Sequence, residues 1–317
     1  MSHFNSLQIK LKKTQEPNIN NICAIVITYH PDKELYGRIE RIVSQVNKVI
    51  IVDNGSSKAC IEMLKRISSD LGVYLVLNNN NMGVATALNN GFDFVNNCDY
   101  SYEWCLTMDQ DTILYPHMVQ NLIKAYKDCP FREEVGIIGS NYEEHATGRI
   151  LFNNKKENKS WAEVEHLPTS GCLTSIPIFK FVGRFRDDLF IDYVDTEYCM
   201  RLKEYGFRVL ISPNVNMKHP LGNYKFDKLY KFLFGRDMIT NYPPIRHYYW
   251  TRNGIILVRE RFWKNMKWAI KELYYLMIRR VMIVILFEDY KIKKIRNIFL
   301  GIFHACINHH SKLNSKN

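Results

Sequence analysis

The chain of 317 residues has eight cysteines, but no two of them form a Cys-x-x-Cys pair. Zinc ribbons and thioredoxin-type redox sites need such pairs, so neither kind of site is expected. Several of the cysteines lie inside apolar runs, where a free thiol packs as a small hydrophobic side chain. We therefore expect reduced thiols and a cytosolic protein, because disulfides are rare in that compartment.

The sequence also lacks a long hydrophobic run. The apolar run Val281 to Phe287, in the last part of the chain, is too short to span a bilayer as a helix. Residues 1–20 are polar and contain nothing like the apolar core of a signal peptide, so we expect a polar N-terminal leader. No internal repeat is apparent either.

A glycine-rich Gly-x-Gly-x-x-Gly turn is missing after the first apolar run, which continues instead into Thr-Tyr-His-Pro at residues 28–31. This argues against a dinucleotide-dependent oxidoreductase, which has such a turn at that point. No recognisable nucleic-acid-binding module is present, so no nucleic-acid partner is expected.

Charge is spread unevenly along the chain. Residues 1–200 contain 20 basic and 25 acidic side chains, whereas residues 201–317 contain 23 basic and 7 acidic ones. An acidic region suits a cation site, and a basic, aromatic-rich region suits anionic lipid head groups, phosphates or nucleic acid. The contrast predicts two regions with different tasks.

Short apolar runs alternate with segments of helical periodicity in the first part of the chain. The run at 22–28 is continuous and rich in β-branched residues, which is typical of a strand buried on both faces of a parallel sheet. The alternation predicts a doubly wound α/β sheet. We predict strands at 22–28, 49–52, 73–77 and 105–108, and helices at 33–46, 58–71, 83–94, 245–260, 262–287 and 290–308.

Two carboxylates close the fourth predicted strand. Asp109 and Asp111 are separated by one residue, and positions i and i+2 of a strand point to the same face. Doubly wound sheets bind ligands at the carboxyl ends of their strands. Oxygen ligands of this kind suit Mg²⁺ or Mn²⁺, which commonly binds a pyrophosphate. A turn that uses both Asp side chains for local hydrogen bonds would explain the same pattern.

Asp53 closes the second predicted strand, and Gly55 permits a tight turn after it. The Asp53 carboxylate can accept a hydrogen bond from the imide N–H of uracil or thymine, and a ligand-free Asp-Asn-Gly turn is the alternative. Residues 81–91 open a helix with small side chains, which would let a nucleotide phosphate approach the helix N-terminus. Close packing of that helix on the sheet explains the small residues without a ligand.

A third group of ionisable side chains lies where an apolar run passes into a predicted helix. Glu197 and Arg201 are four residues apart and can pair on one helix face. Asp195, in the first turn, can act as general base for an acceptor hydroxyl, and an ordinary capped helix is the alternative. His219 follows another apolar run and could complete a Mn²⁺-type site, although a single histidine is more often structural.

Together these segments resemble family 2 glycosyltransferases of the GT-A fold. Within that family they look most similar to bacterial rhamnosyltransferases that build O-antigen or other cell-surface polysaccharide, because of the Asp-Gln-Asp form, the Asp-Tyr-Val-Asp-x-Glu run and the later Tyr-Trp-Thr-Arg-Asn. The resemblance covers about residues 22–222 through seven motifs in order: ICAIVITYHP (22–31), VIIVDNGSS (49–57), NNMGVATALNNGF (80–92), CLTMDQDT (105–112), TSGCLTS (169–175), LFIDYVDTEYCMRLKEYGFRV (189–209) and MKHPLG (217–222).

The resemblance implies an inverting, metal-dependent enzyme that moves L-rhamnose from dTDP-L-rhamnose, or another sugar from UDP-galactose or UDP-glucose, to a lipid-linked or polysaccharide acceptor. Many relatives carry Glu-Asp where this chain has Val194-Asp195, so the carboxylate before the base is absent here. The implied roles are catalysis by Asp195 with support from Glu197, Arg201 and Asp192; nucleotide-sugar binding by Thr28, Tyr29, Asp53, Gly83, Asn89 and Asp109; binding of Mg²⁺ or Mn²⁺ by Asp109, Asp111 and His219; and acceptor contacts by Ser170 and Gly171.

We expect a polar leader at 1–20, a GT-A domain at 21–235 and a basic, aromatic-rich helical region at 236–317. Basic side chains beside apolar helix faces in the last region are typical of helices that lie on an anionic membrane. The expected location is the cytoplasmic face of the inner or plasma membrane, where a lipid-diphosphate-linked glycan acceptor would be reached. A solvated helical cap or a homodimer surface is the alternative, and a membrane- or nucleic-acid-binding protein without catalysis is the alternative class.

Overall fold

The computed structural model describes residues 14–98, 100–145, 147–152, 159–220, 222, 224–235 and 238–307. Most of the predicted polar leader and the end of the predicted C-terminal region therefore lie outside the described residues. The chain divides into two compact units, one of residues 1–186 and 194–220 and the other of residues 187–193 and 221–317. The predicted domain limit after residue 235 stays a prediction.

The first unit is built on a mixed sheet. Strand β1 (Ile22–Thr28) pairs in parallel with β2 (Lys48–Asp53) on one side and with β4 (Trp104–Asp109) on the other. Strand β3 (Tyr74–Leu77) pairs in parallel with β2 and forms that edge of the sheet. All four strands were predicted from the sequence to within one residue at each end. The predicted α/β class is confirmed.

The remaining strands of this sheet introduce antiparallel pairing. Strand β8 pairs antiparallel with both β4 and β6, while β6 and β9 pair in parallel. Within the described residues the order is β3-β2-β1-β4-β8-β6-β9-β5, with β7 also on β9. The strands concerned are β5 (Ile113–Leu114), β6 (Val135–Glu144), β7 (Ala162–Glu163), β8 (Cys172–Ser175) and β9 (Arg208–His219).

Helices connect these strands and bury one apolar face each. In the first of them Leu35, Ile39 and Ile42 recur at helical spacing and are at most 1% exposed. The second begins after Ser57, whose hydroxyl accepts a hydrogen bond from the Cys60 amide. The helices of this unit are α1 (Leu35–Val43), α2 (Lys58–Leu71), α3 (Val84–Asn96), α4 (Met118–Asp128), α5 (Ile176–Val182) and α6 (Val194–Glu204).

The second unit is mainly helical, as predicted. Its helix α8 packs against α11 at Gly301, where an added Cβ would lie 2.7 Å from the Tyr248 carbonyl oxygen, so only glycine permits this close approach. A single π-helical turn, Tyr275–Arg279, joins α9 to α10. The helices are α7 (Lys228–Phe234), α8 (Pro244–Arg261), α9 (Met266–Tyr274), α10 (Arg280–Phe287) and α11 (Lys291–Cys306), beside a hairpin of β10 (Tyr224–Phe226) and β11 (Met238–Thr240).

The cysteines and the apolar helices of the chain are both described by the structure. All eight cysteines lie in the described part of the chain, and each is a free thiol. None of the helices that the structure describes combines the length and apolarity needed to cross a membrane.

Candidate active site

Three side chains from two segments of the first unit meet at the end of β4. Asp109 is the last residue of β4, but Asp111 lies in the turn that follows, so the turn rather than strand alternation brings the carboxylates together. Ligand atoms of Asp109, Asp111 and His219, at the end of β9, all lie within 4.8 Å of one another. Two carboxylates and an imidazole are a ligand set that Mg²⁺ or Mn²⁺ accepts, so these residues fit a divalent cation.

The turn between the two carboxylates is held by Gln110 and Arg38, which were not predicted. The Gln110 side-chain amide accepts a hydrogen bond from the Tyr29 N–H (2.8 Å) and donates one to the Tyr29 carbonyl (3.1 Å). Arg38 donates to the Gln110 carbonyl (2.9 Å), and Asp32 and Glu34 hold its guanidinium. The loop after β1 and the turn after β4 are therefore joined through one amide.

Ser170 and Gly171, expected on the acceptor side, lie inside the protein beside the carboxylate cluster. Ser170 is 1% exposed; its Oγ accepts a hydrogen bond from the Asp109 N–H (3.1 Å) and lies 2.8 Å from Thr112 Oγ1. Thr112 Oγ1 in turn lies 2.7 Å from His219 Nδ1. Gly171 has a φ of +79°, a conformation that favours glycine. Thr112 is a site residue that the sequence did not reveal.

Asp53 is fully buried and engaged in local hydrogen bonds. Its carboxylate accepts from the Thr28 hydroxyl (3.0 Å), the Gly55 N–H (3.2 Å), the Ser56 N–H (2.8 Å) and the Ser56 hydroxyl (2.5 Å). This is the bonding of the turn that was the alternative explanation for Asp53. Tyr29, by contrast, is 44% exposed next to this turn.

The asparagine-rich loop before α3 is tied to β2 through side chains. Asn54 donates to Asn81 Oδ1 (3.0 Å) and to the Gly83 carbonyl (3.2 Å), and Gly83 has a φ of +88°. Asn89, predicted to bind the nucleotide sugar, is buried, and its amide exchanges two hydrogen bonds with the Phe185 backbone (2.8 and 3.1 Å). Asn89 thus fixes α3 to the segment after α5.

The predicted pairing of Glu197 with Arg201 is present and fixes the position of α6. Arg201 donates to both oxygens of Glu197 (3.1 and 2.9 Å), which is 2% exposed. Its other hydrogens reach the carbonyls of residues 182, 183 and 184 (2.8, 2.8 and 2.7 Å). Asp195 lies in the first turn of the helix that this pair anchors, and its Oδ1 accepts from the Thr196 N–H (2.7 Å).

Asp195 and Asp109 act on the same buried thiol. Burial raises the pKa of Cys172 well above its ordinary value, and electrostatic interactions with Cys199, Asp195 and Asp109 add to that rise. Asp195 also lines a small pocket with Thr107. The predicted base and a predicted cation ligand therefore share one electrostatic neighbourhood in the first unit.

Asp192, predicted to support Asp195, belongs to the second unit. Its carboxylate pairs with both Arg246 Nε (2.9 Å) and Arg246 Nη2 (2.5 Å). Burial raises the pKa of Asp192, although the Arg246 charge opposes that rise. The side chain is thus occupied as the partner of an arginine in its own unit.

The Tyr-Trp-Thr-Arg-Asn motif acts on the backbone around Asp192. Phe190, Asp192 and Tyr193 all have positive φ angles (59°, 64° and 63°), a conformation that is costly for side chains with a Cβ. The Asn253 amide donates to three carbonyls of this segment, those of residues 189, 191 and 192, at 2.7 to 3.0 Å. Arg252 donates to the Asp188 carbonyl (2.5 Å). The motif therefore holds a strained segment in place.

The chain belongs to glycosyl transferase family 2, whose family model matches residues 23–181. The dTDP-rhamnosyl transferase RfbF of Shigella flexneri is 30% identical over 254 residues, which cover 76% of this chain and 81% of that relative. The family and this relative together identify the chain as a glycosyltransferase.

Solved structures support the GT-A fold. S. aureus TarS residues 1–349 matches with a TM-score of 0.58 and 12% identity, covering 90% of this chain and 80% of that one. Its complex with UDP matches with a TM-score of 0.50 and 14% identity over 91% and 92%. GalNAc-T7 with UDP, GalNAc and Mn²⁺ matches with a TM-score of 0.53 and 10% identity over 64% and 44%. The mixed sheet of the first unit is thus that of GT-A glycosyltransferases.

Proposed function

We propose that this protein is an inverting, metal-dependent rhamnosyltransferase that moves L-rhamnose from dTDP-L-rhamnose to a lipid-linked or polysaccharide acceptor in O-antigen or cell-surface polysaccharide synthesis. The similarity to a dTDP-rhamnosyl transferase over three quarters of the chain carries the choice of donor. Transfer of another sugar from UDP-galactose or UDP-glucose is the second candidate, because two structural neighbours contain UDP.

Cation dependence is supported by the carboxylate cluster. Asp109 and Asp111 supply two negative charges at the end of β4, and His219 lies within reach of the same point. A divalent cation bound there would neutralise charge on the leaving nucleoside diphosphate. The Mn²⁺ in the GalNAc-T7 structure supports a metal in an enzyme of this fold.

Asp195 is the proposed general base. Its carboxylate takes the proton of the acceptor hydroxyl while that oxygen bonds to the anomeric carbon and the bond to the diphosphate breaks. With one base and no enzyme nucleophile, the sugar is displaced once and its configuration inverts. A β-linked dTDP-L-rhamnose then yields an α-L-rhamnoside.

Thr28, Tyr29 and Asp53 are proposed to line the base and ribose of the donor. Because the Asp53 carboxylate already accepts four hydrogen bonds, a thymine or uracil imide must displace the hydroxyl of Thr28 or Ser56 to reach it. Both hydroxyls can turn away by rotation about one bond. Gly83 offers backbone at the start of α3 for a phosphate or ribose.

The second unit is proposed to dock on an anionic membrane, which would place the enzyme on the cytoplasmic face of the inner or plasma membrane beside a lipid-diphosphate-linked acceptor. One side of α9 to α10 exposes apolar residues at helical spacing, with Lys267 and Lys271 beside them. The excess of basic residues in 201–317 suits anionic lipid and opposes self-association through this face. The exposed apolar residues are Met266, Ile270, Tyr274, Met277, Ile278, Ile285 and Leu286.

A thermal-shift panel of sugar nucleotides, each with and without Mg²⁺ or Mn²⁺, tests the proposal. A metal-dependent rise in melting temperature with dTDP-rhamnose and dTDP, but not with UDP or GDP sugars, is expected, because a ligand stabilises the state that it binds. A rise only with UDP sugars would contradict rhamnose and favour the second candidate. No rise with any nucleotide would contradict sugar-nucleotide binding altogether.

A further inference from the structure

A continuous chain of hydrogen-bonded groups runs beside the carboxylate cluster. It passes from the Asp109 N–H to Ser170 Oγ (3.1 Å), on to Thr112 Oγ1 (2.8 Å) and then to His219 Nδ1 (2.7 Å). Ser170 and Thr112 are each 1% exposed, so solvent does not compete for these bonds. The chain therefore connects two members of the cluster, one through its backbone and one through its ring.

We propose that Ser170 and Thr112 are positioning residues of the cation site, so that Ser170 supports this site rather than contacting the acceptor. Thr112 occupies His219 Nδ1, which also lies 3.9 Å from Asp111 Oδ1, so Nε2 is the nitrogen that His219 has left to offer to a divalent cation. Histidine ligands to metals commonly have their second nitrogen fixed by such a hydrogen bond. This role rests on the proposed cation dependence.

Along this series of hydrogen bonds, each group either donates to its neighbour or accepts from it. This order of donors and acceptors must reverse when the cation binds. Coordination by Nε2 requires a hydrogen on Nδ1, which donates to Thr112, whose hydroxyl donates to Ser170. The Ser170 oxygen then accepts twice, and its own hydrogen has no acceptor among the residues that the structure describes. In the opposite direction every hydroxyl hydrogen has an acceptor. The ring hydrogen is then on Nε2, which has no acceptor among the described residues but is not a fully buried atom, so water can accept its hydrogen bond.

Burying a donor without a partner is unfavourable, so the cation-free protein prefers the second direction. Cation binding then reverses both hydroxyl hydrogen bonds and moves the ring hydrogen from Nε2 to Nδ1. Among the described residues, the Thr112 hydroxyl is the group within hydrogen-bond distance of Nδ1, and it can both donate to this nitrogen and accept from it, so the hydroxyl is needed in both states.

Three threonine variants of the full chain test this role. In Thr112→Val the Nδ1 hydrogen has no acceptor, so the Mg²⁺ or Mn²⁺ concentration for half-maximal stabilisation with dTDP should rise by about 10- to 100-fold. Thr112→Ser keeps the hydroxyl and should stay close to wild type. Thr174→Val is the matched control, because Thr174 is buried and its hydroxyl has no hydrogen-bond partner among the described residues.

Nitrogen-15 NMR of the His219 ring, assigned with His219→Gln, gives a readout independent of activity. We expect hydrogen on Nε2 without cation and on Nδ1 with Mg²⁺. Hydrogen on Nδ1 in both states would contradict the reversal, and a cation midpoint in Thr112→Val equal to that of Thr174→Val would overturn the positioning role. If wild type binds dTDP without any effect of cation, the proposed cation dependence fails instead.

Discussion

Each unit contains a nearly inaccessible glutamate, but the two are neutralised in different ways. Glu197 in the first unit pairs with Arg201, which contacts both of its oxygens and three backbone carbonyls. That pair leaves few donors unused, so it functions as a fixed joint between α6 and the segment after α5. A buried pair of this kind is sensitive to the loss of either partner.

Glu288 in the second unit is 1% exposed and shared among three basic groups. Lys294 donates to it (2.7 Å), His247 lies 3.0 Å away and Arg280 lies 3.4 Å away. Burial raises the pKa of Glu288, but the hydrogen bond from His247 and the charge of Arg280 outweigh it, and the pKa is lowered overall. The comparison shows one matched pair that anchors a helix and one carboxylate with a surplus of cationic partners.

The largest effect is expected from Asp195→Asn. This variant tests the proposed general base on α6, the helix that Glu197 and Arg201 anchor. Turnover should fall about 10²- to 10⁴-fold, the usual contribution of a general base. The melting temperature should match that of Asp70→Asn, the same change at an exposed site on α2. Full turnover in the Asp195→Asn protein, measured as nucleotide released with acceptor present, would remove Asp195 from the role of base.

Removing one basic side chain from each buried glutamate compares the two glutamates directly. Arg201→Met removes the guanidinium that contacts both oxygens of the buried Glu197 carboxylate and should cost about 3–5 kcal/mol in the free energy of unfolding. Lys294→Met should cost clearly less, because Glu288 keeps His247 and Arg280. Urea unfolding of both variants measures the difference. Equal losses would show that Lys294 is no more dispensable than Arg201, against the idea of a surplus.

Membrane docking by the exposed apolar residues of α9 to α10 is tested with a double variant, Ile278→Glu and Ile285→Glu. Binding to vesicles rich in anionic lipid should fall at least about tenfold, because each apolar side chain taken out of water contributes about 1.5–3 kcal/mol. Ile150→Glu, at an exposed isoleucine of the first unit, is the control. Wild-type protein that does not float with vesicles at moderate salt would count against docking, and a change in oligomeric state would favour the homodimer surface.

The smallest expected effect is a pH dependence from His247. Burial lowers the pKa of His247 in the folded unit, although the Glu288 hydrogen bond opposes this. The unfolded chain therefore binds a proton near pH 6.5 that the folded unit does not, and stability falls as the pH drops below that value. Urea unfolding at about pH 7.5 and about pH 5.5 should show a weaker pH dependence in His247→Gln than in wild type. An equal pH dependence in both proteins would exclude His247 as its source.

The parallel half of the sheet was predictable because its information is local. The runs at 22–28 and 105–108 are apolar at nearly every position, as strands buried on both faces must be. The antiparallel half depends on pairing between distant segments. Strand β9, for example, pairs with β6 through two irregular steps around residues 140–142, which periodicity does not encode. In the second unit the apolar spacing of α8 to α11 is also local, so helices were predicted there, although the single helix predicted at 262–287 is divided into α9 and α10. The short helix α7 was not predicted.

The candidate site also contains residues that local sequence predicts and residues that depend on distant partners. Residue types at strand ends and at a helix start marked Asp53, Asp109 and Asp195, and the i, i+4 spacing marked the Glu197 pair. The supports could not be read from the sequence, because Thr112 meets His219 from 107 residues away and Gln110 meets Tyr29 from 81 residues away. Polar side chains such as these carry no local signal of the partner that they will find.

The amide bridge between Gln110 and Tyr29 has a consequence for ligand affinity. It makes the loop proposed to hold the nucleotide base and the turn proposed to hold the cation one mechanical element. A ligand that orders one end reduces the conformational entropy that the other ligand must still remove. Such coupling is reciprocal, so whatever factor the cation adds to nucleotide affinity, the nucleotide must return to cation affinity.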